Sequence, residues 1–337
     1  MDILHIELLS DILLKCSEYA PVLKETCHEW NEILSNTNVD RTVLSLEQVA
    51  ERGHIDLIEH VGRDKIDDKR IPNIFRHAAK GGHLGIMFLF KKWGATNYDD
   101  ALKSSAKYGY TEAMHSLKAW GATNYDLALN RATQNGQLLA MRLLKEWGAD
   151  EYNWALTKAA QNGQISAMHL VKEWGATQYD DALNGAAEYG QISAMHLVKE
   201  WGATQYDDAL EHAAMNGQIL AMHLLKEWGA VNYDWALVSA ATNGQISAMH
   251  LLKNWGATDY NEALEYAAEG GKIEAMHLLK KWGATNYNEV LKCAAVAKQI
   301  SAMHLLKKWG ATSYDDALFY VSHCTEIVEL LKSWINQ

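Results

Sequence analysis

Gln164-Ile-Ser-Ala-Met-His-Leu-Val-Lys-Glu-Trp-Gly-Ala-Thr-Gln-Tyr-Asp-Asp-Ala-Leu183 returns unchanged as residues 191–210. The spacing of 27 holds well beyond these two copies. Trp93, Trp120, Trp147, Trp174, Trp201, Trp228, Trp255, Trp282 and Trp309 keep it without a slip. A fixed period in the range of about 20–50 residues is the mark of a solenoid, in which each unit is one supersecondary element that buries its apolar face only against its neighbours.

Within a unit the pattern predicts two helices. After Gly94-Ala95-Thr96-Asn97 and Tyr98, an Asp or Asn recurs in every unit (Asp99, Asp126, Asn153, Asp180, Asp207, Asp234, Asn261, Asn288, Asp315). This is the residue class that caps a helix by accepting its orphan N–H groups, so it is expected to cap the helix that follows it. That first helix runs about nine residues with Ala101, Leu102 and Ala106 inward. Gly109 turns the chain, and a second helix runs from about Thr111 to Trp120 with Ala113, Met114 and Leu117 inward. The Trp and Tyr of each unit read as filler between successive units, with an aromatic ligand strip as the alternative. His115, His169, His196, His223, His250, His277 and His304 share one register. Neighbouring helices about 8–10 Å apart do not bring such a ladder onto one metal ion. The Glu four residues after His169, His196 and His223 suggests a hydrogen-bonded outer face instead.

The positions that differ between units are expected to select a partner. They lie on the first helix, just before Ala-Leu and just after it. Lys103, Arg131, Trp154, Lys158, His212, Trp235 and Tyr266 are the candidate contact residues, with Trp154 and Trp235 the best anchors.

The Ala78-Ala-Lys-Gly-Gly-His83 and Ala50-Glu-Arg-Gly-His54 turns, with the later Leu-Leu-x-x-Gly-Ala, resemble ankyrin repeats from about residue 44 onward. The unit is six residues shorter than a full ankyrin repeat, and Asp-x-Ala-Leu stands where that family has Thr-Pro-Leu-His. The resemblance therefore implies an all-α, ankyrin-like helix-turn-helix solenoid that lacks the β-hairpin finger. Residues 39–92, with Pro72, are atypical first repeats, 93–320 are the regular array, and 321–337 form a capping helix whose Trp334 falls two residues short of register.

A small helical segment, residues 1–38, precedes the array. Leu4-His-Ile-Glu-Leu-Leu-Ser-Asp-Ile-Leu13 followed by Thr26-Cys-His-Glu-Trp30 resembles an F-box, with His5 in place of that family's proline and Thr26 in place of its valine. The resemblance implies that Leu4, Ile6, Leu8, Leu9, Ile12, Leu13 and Trp30 meet a Skp1-type adaptor of a cullin ubiquitin ligase. The other reading is a helical cap on the array, and the two are compatible. Short ankyrin arrays joined to an F-box are similar to those of large DNA viruses of amoebae, which places such a protein in the host cell.

The net charge of −11 argues against a nucleic-acid backbone partner, which asks for clustered Lys and Arg. Residues 1–40 carry eight acids against Lys15 and Lys24, over half of the excess. Four scattered cysteines read as reduced thiols in the cytoplasm or nucleus. The start Met-Asp-Ile-Leu has no basic n-region of a signal peptide, and no apolar run is long enough to span a membrane. No phosphate loop, dinucleotide fingerprint, zincin motif, nucleophile elbow or metal-spaced Cys/His cluster is present, so neither an enzyme nor a cofactor is expected.

Overall fold

A computed structural model describes residues 45–321 and 324–336. The F-box-like segment and its candidate residues Leu4, Ile6, Leu8, Leu9, Ile12, Leu13 and Trp30 lie outside the described residues. The described chain is all-α, with no strand, and consists of helix pairs. It divides into two compact units, residues 1–132 with 137–150, and residues 133–136 with 151–337.

In the first unit, Leu46–Arg52 and Ile55–Val61 form the first described pair, and Ile71–Gly81 with Leu84–Lys92 the second. Pro72 stands in the opening turn of its helix, where its missing N–H costs no hydrogen bond. Regular pairs follow, Tyr98–Tyr108 with Thr111–Trp120, then Tyr125–Gln134 with Leu138–Glu146. The second unit continues from Tyr152–Gln161 with the same rhythm to Thr325–Ile335.

The core is as the periodicity predicts. Ala101, Leu102 and Ala106 are fully buried on the first helix, and Ala113, Met114 and Leu117 are buried on the second. Ala-Ala pairs such as Ala186-Ala187 leave so little side chain that first helices of successive repeats pack directly on one another within each unit. Successive second helices touch far less. The space left between them is filled by aromatic rings.

Two glycines per repeat shape the turns. Gly202 ends its helix at φ 111° with open space where a side chain would stand, so its need is conformational. Gly190, at φ 67°, has a second reason. A β-carbon there would lie 2.5 Å from Gln218 Oε1, because that glutamine of the next repeat folds back over the turn and donates to Glu188 O at 3.3 Å. Lys298 replaces this glycine and is the one described non-glycine residue with positive φ, 59°.

The recurring Asp or Asn does not cap its own helix, contrary to expectation. Helix starts fall one residue earlier, at the tyrosine, so Asp99 sits inside the first turn of Tyr98–Tyr108. Its carboxylate reaches the next repeat instead. Asp99 Oδ1 accepts from Thr123 N at 2.7 Å and Asn124 N at 2.8 Å. Asp180 binds Thr204 N and Gln205 N in the same way, Asp207 binds Val231 N and Asn232 N, and Asn261 binds Thr285 N and Asn286 N. The true cap is the residue before tyrosine in some repeats, as where Asn232 Oδ1 accepts from Trp235 N at 3.4 Å. The series is thus a clamp from repeat to repeat, made of an acceptor and two backbone donors that would otherwise face water.

Candidate interaction face

The aromatic seam draws on the second helices and the tyrosine that opens each first helix, the variable face on the rest of the first helices, and their residues behave differently. At the seam, Trp201 is half-buried in contact with three side chains. Tyr179, at the start of the same repeat, stands 5.7 Å away between ring centroids. From the preceding second helix, His169 meets Trp201 edge-on at 5.4 Å, and Lys172 Nζ lies 4.3 Å over the indole and 5.8 Å from Tyr179. The arrangement recurs at Trp228, Trp255, Trp282 and Trp309. Tyr, Trp, His and Lys are therefore committed to holding repeat to repeat, which supports the filler reading over the ligand strip. The histidines correct one expectation. The described His169, His196 and His223 make ring contacts with the next repeat's tryptophan, and no hydrogen bond joins them to Glu173, Glu200 or Glu227. Attraction to the indole edge one repeat away prevails over the i+4 carboxylate. No group of three His, Cys, Asp or Glu among the described residues could hold a metal ion.

Trp334 shows how strongly this seam selects. It lies two residues short of register, yet it is only 7% exposed and meets His304 at 5.1 Å, Tyr314 at 5.5 Å and Lys307 Nζ at 4.8 Å. The preceding helix, Tyr314–Tyr320, is shorter than its counterparts and absorbs the deletion.

The variable residues sit on the first helices. In the first unit, Lys103 pairs with Asp100 at 2.6 Å, and Arg131 is exposed. In the second unit, Trp154 and Trp235 are 41% and 49% exposed, and Tyr266 also reaches solvent. The structure brings Trp154 and His212 to one groove of about 460 Å³. Glu151, Asn153, Trp154, Thr157 and Gln161 form one wall. Gln178, Asp181, Asn184, Gly185 and Glu188 of the next repeat line it as well, with His212 from the repeat after. Lys158 stands beside it and donates to Gln161 Oε1 at 2.9 Å. Trp235 and Tyr266 lie further along the same series of helices and do not line the groove.

Gly185 lets the wall of the groove close in on its helix, and its role went unread in the sequence. The equivalent positions carry Ser104, Arg131, Lys158, His212, Ser239, Tyr266, Cys293 and Tyr320. Only here is the side chain absent. A β-carbon would lie 2.8 Å from Gln161 Cγ and 3.3 Å from Thr157 Cγ2. Glycine inside a helix costs about 1 kcal/mol relative to alanine, so its presence mid-helix was a signal that a neighbour approaches closely.

The face is negative in sign. Burial pushes the Glu262 carboxyl up, and Asp259, Glu265 and Asp234 add to the rise. The Cys293 thiol is raised by burial and then by Glu265, Glu269 and Glu289. Toward the end of the array the surface turns apolar, with Val296, Phe319 and Tyr320 more than half exposed.

No family model and no curated protein matches the chain. Among solved structures, the human ASB11 ankyrin repeat domain is similar at 22% identity, over 53% of this chain and 96% of that one, with a TM-score of 0.39. A likeness that loose carries no weight beside the repeat geometry above.

Proposed function

We infer that this chain is a non-enzymatic interaction scaffold that holds a protein partner on the first-helix face of its repeats. One observation carries the reading. The residues constant from repeat to repeat are spent on the seam and the Asp clamp, while the varying ones, Trp154 and Trp235 above all, remain exposed on one series of helices. Exposed tryptophan on a rigid surface is the common anchor of protein interfaces. Crosslinking the tagged chain in eukaryotic lysate should capture a partner that a Trp154→Ala, Trp235→Ala double variant loses. Equal capture by both proteins would defeat the reading.

The finer proposal makes the scaffold an adaptor that brings its target to a Skp1–cullin ubiquitin ligase. It rests on the F-box resemblance of residues 1–38, chiefly the Cys27 and Trp30 spacing after the Leu- and Ile-rich stretch. Wild-type protein should recover Skp1 and cullin from lysate, and Trp30→Ala with Leu8→Ala should not. Failure to recover them with wild type would leave the scaffold and remove the ligase, with residues 1–38 as a cap on the array.

A further inference from the structure

The groove over Gly185 has a chemistry more particular than that of the face around it. It is lined by the exposed indole of Trp154 and by Gly185, over which Gln161 and Thr157 pack closely. Asp181 and Glu188 sit seven residues apart on one side of their helix, and neither forms an ion pair among the described residues. Asn184 lines the same space. Every one of these groups asks for a cation or an N–H donor. An ammonium or guanidinium is attracted to an indole face, and more strongly where carboxylates complete its shell. A phosphate or other anion would meet Asp181 and Glu188 head-on. Lys158 Nζ donates to the lining Gln161 Oε1 at 2.9 Å and forms no ion pair with Asp181 or Glu188, so both carboxylates keep their acceptor capacity.

Size and openness suit a side chain arriving on a polypeptide. About 460 Å³ holds a long aliphatic stem with part of its backbone, and the groove is open along its length. The negative charge continues beyond it through Asp208, Glu211, Glu262, Glu265 and Glu269 on the following first helices. The raised Glu262 carboxyl and Cys293 thiol, each shifted by burial and by neighbouring acids, agree with that sign.

The geometry points to a docking subsite for an arginine or lysine side chain of an extended basic segment in a protein partner, its cation over the Trp154 indole and flanked by the carboxylates of Asp181 and Glu188. This deepens the scaffold reading and rests on it. It also gives the partner a sign, since the remaining residues of the segment would run over an acidic face.

The test uses the full chain and a fluorescein-labelled octapeptide of alternating arginine and alanine, read by fluorescence anisotropy. Saturable binding is expected. Trp154→Ala should weaken it about three- to fivefold, by loss of a partly exposed cation–π contact. Asp181→Asn with Glu188→Gln should weaken it by about tenfold or more and flatten its salt dependence, as for charge-assisted contacts. Asp316→Asn, an exposed acid in the equivalent position far along the array, should leave it unchanged, and a glutamate–alanine octapeptide should not bind. These are surface substitutions, and unchanged circular dichroism and melting would confirm folded variants. No saturable binding to about 1 mM peptide, the range of non-specific contacts, would overturn the subsite. So would an unaltered Trp154→Ala affinity, or an Asp316→Asn loss as large as that of the groove pair. If the octapeptide fails while Trp154→Ala with Trp235→Ala still loses a crosslinked partner, the subsite falls and the scaffold stands. If both fail, both readings fall.

Discussion

Two tryptophans of the second unit, Trp201 and Trp154, separate the two surfaces of the repeats. Trp201 belongs to a set that keeps its period, and it is half-buried against Tyr179, His169 and Lys172. Trp154 occurs where most other repeats carry Asp or Glu, and 41% of it faces solvent beside an open groove. The same residue type is mortar in one place and a contact in the other. What distinguishes them is repetition, because a seam must be made at every junction whereas a partner is met at a few. A stack of repeats is held by nearest-neighbour terms, so constancy marks the junction and departure from it marks the face free to specialise.

The largest effect should fall on the seam. Trp201→Ala removes the indole that Tyr179, His169 and Lys172 all pack against and leaves a gap at the junction. Core Trp→Ala changes cost about 3–5 kcal/mol. With Trp201 only half-buried, about 2–3 kcal/mol is expected from equilibrium urea unfolding. Trp154→Ala should change stability by no more than about 0.5 kcal/mol, as for surface positions. If the two variants lost equal stability, the division into seam and face would collapse.

A subtler version of the contrast is within reach of one carboxylate. Asp207 Oδ1 holds Val231 N at 2.6 Å and Asn232 N at 2.8 Å. Asp207→Ala strands two donors at the surface and should cost about 1–2 kcal/mol, the range of a lost side-chain cap. Asp207→Asn should cost little, because Asn153, Asn261 and Asn288 already make the same bonds with their Oδ1 atoms. Unfolding midpoints in urea would decide it. An Asn variant as weak as the Ala variant would mean that charge, and not the acceptor, is what the clamp uses.

Much of this was legible beforehand, and the exceptions share a cause. The period, the paired helices and the Ala, Leu and Met core follow from spacing alone, since those residues act within one repeat. Asp99 was misread because its partners, Thr123 and Asn124, are 24 and 25 residues away, and only the stacking of units brings them near. Lys172 went unnoticed for a related reason. A lysine in the last turn of a helix ordinarily serves the dipole and solvent, and nothing local reveals the indole of the next repeat above it. The histidines were assigned to a glutamate on the same helix when the stronger neighbour was again one repeat away. For the groove, the missing side chain of Gly185 could be read from its register, but the approach of Gln161 and Thr157 depends on how adjacent helices line up.

The smallest effect should appear at the first described junction, where charged side chains join the first helices. In the first repeats, successive first helices are tied by ion pairs, with Glu47 Oε2 3.0 Å from Arg70 and Glu51 within 2.8 Å of His77 and 2.7 Å of Lys80. Burial raises the Glu47 carboxyl, but hydrogen bonds from Arg70, its own backbone N–H and Ser45, with the charge of Arg70, outweigh it and bring it to about 2. A folded value below the unfolded 4.5 means that the native state favours the ionised form. The contribution is therefore complete above pH 4.5 and is lost as pH falls toward 2. Arg70 is 46% exposed, so solvent screens the pair and about 1 kcal/mol or less is expected at neutral pH. Glu47→Gln should lower stability by that amount at pH 7, and the gap to wild type should close as the pH drops from 4.5 to 2. Because salt screens an exposed pair and hardly touches an indole junction, about 1 M salt should erase the Glu47→Gln deficit. The deficit of Trp201→Ala should persist, and a salt response shared by both would mean the two kinds of junction are not held by different forces.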